Sequence, residues 1–211
     1  MEIQLGFFEA ILDFLRLRPL FFAGMILIGI ALYWSFQKDS TVPKVRTVLA
    51  SFLLYYLLGI LFRHIVGIPT LSGLFRITGL GESIFNPNIH PIPFADGITR
   101  AFILNIFAFI PIGFLCPFVS KSYQKIKEAA LFGLGISLTI EISQLFTLHR
   151  LTDINDLLTN TLGTVIGCLC FGLFAMIFRK NGKDSIASKT DVTRFLPVCI
   201  AATAFIFTFL L

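Results

Sequence analysis

Ionisable side chains are concentrated within residues 141–160, a stretch between two long apolar runs, and they are Glu141, His149, Arg150, Asp153 and Asp156. An arginine in such a group suits binding of a phosphate or carboxylate, and paired carboxylates suit general acid–base chemistry. Glu141 lies inside an apolar run, where an unpaired charge is costly and an ionisable residue is commonly functional. This stretch is therefore the main candidate for a functional site.

The spacing of these residues predicts two polar stripes, because side chains three or four apart share one face of a helix. The first stripe consists of Ser137, Glu141 and Gln144. The second consists of Asp153, Asp156 and Asn160. The connection between them is short, so we expect antiparallel neighbouring helices whose stripes face each other, with Arg150 between them.

A purely structural role for the two aspartates stays open. Asp153 is placed to cap a helix, and Asp156 would follow at the third helical position, near the positive end of the helix dipole. Capping does not explain Glu141, which lies about two turns below the end of its predicted helix. Its expected partner is Arg150, Arg100 or Asn105, and a Glu141–arginine pair that serves only structure is the alternative.

Two further helical runs carry features that would shape such a site. In residues 99–117, Asn105 lies about one turn below the outer end, and Pro111 predicts a kink that Gly113 eases. In the run that follows the aspartates, Gly163 and Gly167 form a small-xxx-small face that allows close helix approach.

The composition indicates an integral membrane protein. Of 211 residues, 56% are hydrophobic and 14% are charged, whereas soluble domains carry roughly 25% charged residues. We predict an all-α, polytopic helical bundle with about six transmembrane helices of roughly 20 residues each. The apolar runs are Leu20–Phe36, Thr47–Phe62, Ala101–Val119, Ala129–Leu148, Leu157–Phe178 and Phe195–Leu211.

Basic residues predict the orientation. Loops 38–46, 120–128 and 179–194 hold eleven of the seventeen Lys and Arg residues, so they are predicted to be cytoplasmic. Both termini and segments 63–100 and 149–156 are then extracytoplasmic. The predicted division is an amphipathic interfacial helix at 1–18, a first span with its cytoplasmic loop at 19–46, a membrane core at 47–178, and a basic cytoplasmic loop with the C-terminal span at 179–211.

Every basic residue on the predicted outer side is an arginine, and these are Arg16, Arg18, Arg63, Arg76, Arg100 and Arg150. They could anchor helix ends to phospholipid head groups. Alternatively they belong to an extracytoplasmic site for an anionic lipid or polymer, since the guanidinium fork binds phosphate bidentately. Arg100 and Arg150 are the strongest candidates for such a site because they accompany the other polar residues.

Several stretches together resemble the VanZ-like family, small bacterial membrane proteins linked to resistance against teicoplanin-type glycopeptides. They are Asn-Ile-His-Pro-Ile-Pro-Phe at 88–94, the third-span motif at 100–114, and the Glu-x-x-Gln, Arg-x-x-Asp-x-x-Asp and Asn-Thr-x-Gly elements within 140–167. The first has one residue more than the family's Asn-x-x-Pro-Phe. The resemblance covers about residues 47–178 and implies that the following are site residues: Arg100, Asn105, Pro111, Glu141, Gln144, Arg150, Asp153, Asp156 and Asn160.

The resemblance links the chain to a resistance phenotype and does not give its molecular activity. We predict a non-enzymatic protein of the bacterial plasma membrane that acts through an outward-facing polar pocket, because glycopeptides act outside the cell on lipid-linked wall precursors. Its expected partners are membrane lipid, and an anionic, undecaprenyl-linked wall precursor or a teichoic-type wall polymer; nucleic acid is not expected. An enzyme acting on a lipid-linked glycan or lipid phosphate stays open, with Glu141 or Asp153 as acid or base, as does a transporter with Glu141 as the proton-coupled group. No cofactor or metal is expected, because no ligand spacing such as His-Glu-x-x-His is present.

Residues 63–100 are predicted to form an ordered lid or re-entrant segment over the pocket. The segment holds four of the nine prolines and shows no helix signal, and long stretches of this kind are functional or disordered. Its apolar content argues against disorder. His90 and Phe94 are expected near Arg100.

Overall fold

The fold is an all-α bundle, seen in a computed structural model that describes residues 19–85, 87–94, 97, 99–148, 150–178 and 191–211. The α-helices of this described part are α1 Pro19–Lys38, α2 Lys44–Ile60, α3 Leu71–Gly79, α4 Arg100–Val119, α5 Ile126–Gln144, α6 Ile154–Phe178 and α7 Leu196–Phe209. A π turn, Leu61–Ile65, continues α2, and a 3-10 turn, Lys121–Gln124, precedes α5. Two short strands, β1 Ile89–His90 and β2 Thr152–Asp153, pair in parallel.

Four helices of the described chain are long and apolar enough to cross a membrane, and they are Leu20–Lys38, Lys44–Ile65, Arg100–Val119 and Ile154–Phe178. The predicted helical membrane protein is thereby confirmed, whereas the count of about six spans is not. Helix α5 carries Lys127, Glu128 and Glu141, which lower its hydropathy. Helix α7 has 14 residues, or about 21 Å of helix against roughly 30 Å of hydrocarbon. The predicted interfacial helix at 1–18 and most of the 179–194 loop lie outside the described residues.

Helices α4 and α6 form the most extensive helix pair of the described chain. Glycines make this contact possible, because a Cβ built at Gly163 or Gly167 would collide with the carbonyl oxygen of Ile106 or Ile110. From the other side, a Cβ at Gly113 would collide with the backbone of α6. The two backbones therefore touch, as small-xxx-small faces allow, and the helices begin side by side.

Helix α2 joins this pair to α1 and α7, whereas α5 packs directly on α6. Helix α2 packs against α4, α7 and α1. The buried ring of Tyr55 stacks on Phe21 with 4.2 Å between centroids, and its hydroxyl donates a hydrogen bond to the Phe21 carbonyl at 3.1 Å. Helix α7 packs against α1 and α2 but stands apart from α5, which leaves a groove between α5 and α7.

Asp191 fastens the chain before α7 to the start of the 3-10 turn. One carboxylate oxygen accepts hydrogen bonds from the hydroxyls of Ser120 and Ser122, both at 2.7 Å, and from the Ser122 backbone N–H at 2.9 Å. The other accepts from the backbone N–H and hydroxyl of Thr193. Burial raises the pKa of Asp191, but the hydrogen bonds from Thr193, Ser120 and Ser122 outweigh burial and lower this pKa to about 2. The ionised form is thus a structural link between α4 and α7.

The connection between α2 and α4 holds more regular structure than we predicted from the sequence. Helix α3 begins after Thr70, whose side chain accepts a hydrogen bond from the backbone N–H of Gly73 at 3.1 Å. A threonine at this position is a favourable N-cap. The prediction that segment 63–100 lacks a helix signal is therefore wrong, because this cap is followed by a short amphipathic helix.

Candidate functional site

The two polar stripes predicted on α5 and α6 face each other. The side-chain amide of Asn160 donates a hydrogen bond to the Ser137 hydroxyl at 2.9 Å. The same hydroxyl donates to the backbone carbonyl of Asp156 at 3.3 Å. Before Ser137 on α5, Gly133 lies against Thr164, which follows Asn160 on α6. The two helices therefore run antiparallel, as predicted.

Glu141 lies in the last turn of α5, at the end of this interface, and not two turns below the helix end as predicted, because α5 ends at Gln144. Its side chain is 5% exposed. Its Oε2 accepts a hydrogen bond from the backbone N–H of Asp153 at 3.0 Å. Its backbone carbonyl accepts a second one from the Thr152 hydroxyl at 3.3 Å. Glu141 therefore ties the last turn of α5 to β2, the strand that leads into α6.

The predicted ion pair between Glu141 and Arg150 is wrong for the described chain, where the side chain of Glu141 has the Asp153 backbone as its hydrogen-bond partner. Arg150 is exposed and its guanidinium lies over Gly67: a Cβ built there would be 2.8 Å from Nη2 of Arg150. Gly67 has a φ of +66°, a conformation that favours glycine. Glu141 and Arg150 do not pair because α5 ends at Gln144 and the residues that follow carry Arg150 outward, away from the polar stripes.

The two aspartates have different roles. Asp153 caps α6, since its carboxylate accepts a hydrogen bond from the backbone N–H of Asn155 at 2.9 Å. Asp156 lies one turn further on and accepts a hydrogen bond from the side-chain amide of Asn105 at 2.7 Å. Asn105 therefore links α4 to α6 instead of bonding to Glu141. The capping interpretation holds for Asp153, whereas Asp156 also joins two helices.

Three deeply buried oxygens of this interface have no hydrogen-bond partner among the described residues, namely Glu141 Oε1, Gln144 Oε1 and Asn160 Oδ1. Their side chains are 5%, 4% and 4% exposed. Buried polar atoms are paired in the great majority of cases. We call these three residues the acceptor cluster, because what they lack is a hydrogen-bond donor: a hydroxyl, an amide or an ammonium group would satisfy them.

Residues 88–94 are held against the start of α6. Strand β1 pairs with β2, and the Thr152 N–H donates to the Asn88 carbonyl at 2.8 Å. Further on, the Phe94 N–H donates to the side-chain oxygen of Asn155 at 2.9 Å, and the Phe94 ring lies 5.9 Å from that of Phe102. The segment thus contacts the start of α6, and its predicted role as a lid stays a prediction. Sequence reasoning missed Asn155, whose backbone partner lies 61 residues away.

The remaining predicted residues lie around this interface. Arg100 is exposed at the first position of α4, where the Thr99 side chain accepts a hydrogen bond from the Phe102 N–H at 3.3 Å. Pro111 is accommodated inside α4, which is assigned as one helix from Arg100 to Val119. Within the described ranges, no group of three or more His, Cys, Asp and Glu side chains is arranged to hold a metal ion. The arrangement offers buried acceptors and exposed arginines instead.

A family model described as VanZ/LLP1 matches residues 4–178. The chain belongs to the VanZ/LLP1 family. Protein VanZ of Enterococcus faecium is 36% identical over 104 residues, which are 47% of this chain and 64% of that protein. The match thus covers less than two thirds of this curated VanZ relative. No solved structure matches the chain.

Proposed function

We propose that this VanZ/LLP1 protein is a non-enzymatic membrane protein that binds a phosphate-bearing, lipid-linked wall precursor at an extracytoplasmic polar site. By holding this ligand it would contribute to resistance against glycopeptides of the teicoplanin type. The observation that carries the proposal is the acceptor cluster, in which Glu141, Gln144 and Asn160 each present a buried oxygen without a donor.

The chemistry of such a ligand matches both parts of the site. Its sugar and peptide units carry hydroxyl, amide and ammonium donors, which would satisfy the acceptor cluster. Its phosphate would bind to arginine, whose planar fork forms paired, charge-assisted hydrogen bonds with phosphate oxygens. Arg100 and Arg150 are exposed beside the same helix ends. A bare anion would not suit the cluster, since carboxylate and amide oxygens repel it.

An enzymatic role for Glu141 and Asp153 has less support. One carboxylate oxygen of Glu141 already accepts a hydrogen bond from the backbone N–H of Asp153. One carboxylate oxygen of Asp153 accepts a hydrogen bond from the backbone N–H of Asn155. Groups fixed in this way serve positioning and capping well. A general base must instead reach the proton that it removes from a substrate.

The proposal places the site outside a bacterial plasma membrane, with the lysine-rich loops inside. Cysteine labelling tests this orientation in intact cells that carry alanine at the two exposed native cysteines, Cys170 and Cys199. A cysteine at the exposed position Ser83 should react with an impermeant maleimide, and one at the exposed position Gln124 should not. The opposite labelling pattern would contradict an extracytoplasmic site.

Expression in a teicoplanin-susceptible Gram-positive strain tests the function directly. The wild-type chain should raise the minimal inhibitory concentration of teicoplanin, and Asn160→Leu should not, although it reaches the membrane at the same level. Leucine has a similar volume but no acceptor oxygen. An unchanged inhibitory concentration with the wild-type chain present in the membrane would overturn the proposal.

A further inference from the structure

A groove runs between α5 and α7, on the side of α5 that points away from Glu141. Two adjoining cavities of about 410 Å³ and about 320 Å³ form it, and both are lined by Thr139 and Phe205. Along α5 the lining extends from Leu131 to Ser143, a length of about 18 Å at 1.5 Å per residue. This length exceeds half of the roughly 30 Å hydrocarbon core of a bilayer.

The groove is apolar and is kept open by small residues. Gly135 on α5 lines it, and a Cβ built there would meet no atom within 4 Å. Across the groove, α7 presents Ala201 and Ala202. An apolar space offers water no polar partners, and within a bilayer the surrounding medium is hydrocarbon. A lipid chain is therefore the occupant that the lining fits, and the volumes lie in the range of roughly 300–1,000 Å³ typical of ligand sites.

One end of the groove lies next to a cation. Pro69 lines the second cavity, and it follows by two residues Gly67, over which the guanidinium of Arg150 lies. Within the described part of the chain, Arg150 makes no ion pair and donates no side-chain hydrogen bond. An apolar groove that ends beside an available guanidinium has the charge distribution of a binding site for a lipid with an anionic head group.

We propose that the α5–α7 groove binds a hydrocarbon chain of a phosphate-bearing lipid, and that Arg150 binds the phosphate where the groove ends. This inference rests on the proposed function, because it gives the lipid part of the same ligand its own site. The polar part of the ligand would turn across the end of α5 toward the acceptor cluster, and the chain would remain on the other face of the helix.

Native mass spectrometry of the purified full-length protein tests the groove with defined probes, dioleoyl phosphatidylglycerol and dioleoyl phosphatidylcholine. The wild-type protein should bind the anionic lipid more tightly. Gly135→Leu fills the groove and should weaken binding of both lipids by at least about fivefold. Both lipids carry a phosphate, but choline neutralises its charge in phosphatidylcholine. Arg150→Gln should therefore weaken binding of both lipids, weaken phosphatidylglycerol binding more, and remove the preference for phosphatidylglycerol. Gly29→Leu is the matched control, since a Cβ at this helical glycine also meets no atom within 4 Å but lies outside the groove lining.

Wild-type lipid binding by Gly135→Leu would overturn the proposal, as would a retained preference for phosphatidylglycerol in Arg150→Gln. If Gly135→Leu does not fold, Ala202→Leu fills the groove from α7 and must give the same loss. If filling the groove abolishes dimerisation of the protein but leaves lipid binding unchanged, the groove binds a second protein chain. That result would also overturn the proposal. These measurements need no antibiotic. A negative result for lipid binding in the groove is therefore distinguishable from a negative result for resistance.

Discussion

The carboxylate of Glu141 accepts a hydrogen bond from the backbone N–H of Asp153 over 3.0 Å. This contact fixes the α5 helix to the strand that pairs with β1 and leads directly into α6. The other carboxylate oxygen has no donor among the described residues. Glu141 thus has one oxygen that organises the fold of the site and one buried oxygen that lacks a donor among the described residues.

Replacing Glu141 by glutamine separates these two tasks. The glutamine oxygen can still accept the Asp153 N–H, while its NH₂ replaces the open acceptor with a donor. A buried ligand donor left without its acceptor costs about 1–3 kcal/mol, or roughly fivefold to hundredfold weaker binding. We expect the increase in teicoplanin inhibitory concentration to be lost while the protein level in the membrane stays normal, as measured by immunoblotting.

Glu128→Gln is the control for that experiment. It makes the same chemical change on the same helix, but Glu128 lies at the opposite end and forms a partly exposed ion pair with Arg194 at 3.4 Å. Exposed pairs contribute about 0–1 kcal/mol, so resistance should be retained. A fully resistant strain carrying Glu141→Gln would remove Glu141 from the ligand site.

If the guanidinium of Arg100 binds a phosphate, lysine cannot replace this arginine. Arg100→Lys keeps the charge and loses the fork, so resistance should fall nearly as far as in Arg100→Ala, corresponding to roughly tenfold weaker binding. Arg194→Lys, at the other end of the bundle, should have no effect on the inhibitory concentration. Full resistance of Arg100→Lys would indicate that this residue only anchors the helix end to lipid head groups.

The contact between α4 and α6 predicts opposite outcomes for two glycines of the same helix. A Cβ at Gly167 would collide with the Ile110 carbonyl, whereas one at Gly172 would meet no atom within 4 Å. Gly167→Ala should destabilise the protein by about 1–3 kcal/mol or more, and Gly172→Ala should stabilise it by about 0.5–1 kcal/mol. Thermal unfolding in detergent measures both, and equal melting temperatures would contradict the close backbone contact.

The link at Asp191 predicts a dependence of stability on acid. Its folded-state pKa of about 2 lies below the ordinary value of about 3.9, so its contribution is fully present above pH 4 and is lost as the pH falls toward 2. Asp191→Asn should lower the melting temperature at neutral pH and flatten its decline between pH 4 and pH 2. A decline identical to that of the wild-type protein would show that other carboxylates cause it.

The sequence predicted helix contacts best where the helical spacing of residues matches the face that packs against a neighbouring helix. The stripes containing Glu141 and Asn160 follow helical spacing, and a short connection leaves antiparallel packing as the simple solution. The glycines at 163 and 167 likewise lie where α6 meets α4. These features depend on local pattern, and local pattern is visible in a single sequence.

Partner choice across the site was not predictable in the same way. Closeness along the chain predicts that Arg150 pairs with Glu141. Instead, the backbone N–H of Asp153 donates a hydrogen bond to Glu141, and Arg150 lies over Gly67. The parallel pairing of β1 with β2 joins segments that are more than 60 residues apart. No local spacing encodes such a contact, and the groove between α5 and α7 arises in the same way, from helices that do not pack together.

The acceptor cluster is proposed to bind a lipid-linked wall precursor. The most direct test is to identify the lipid that co-purifies with the protein from native membranes. Mass spectrometry of the wild-type protein should find a phosphate-bearing lipid with attached sugar, depleted at least about tenfold in Glu141→Gln, while ordinary phospholipids remain at equal levels in both. Ordinary phospholipids alone in both preparations, or the same glycan-bearing lipid in equal amounts, would contradict the account.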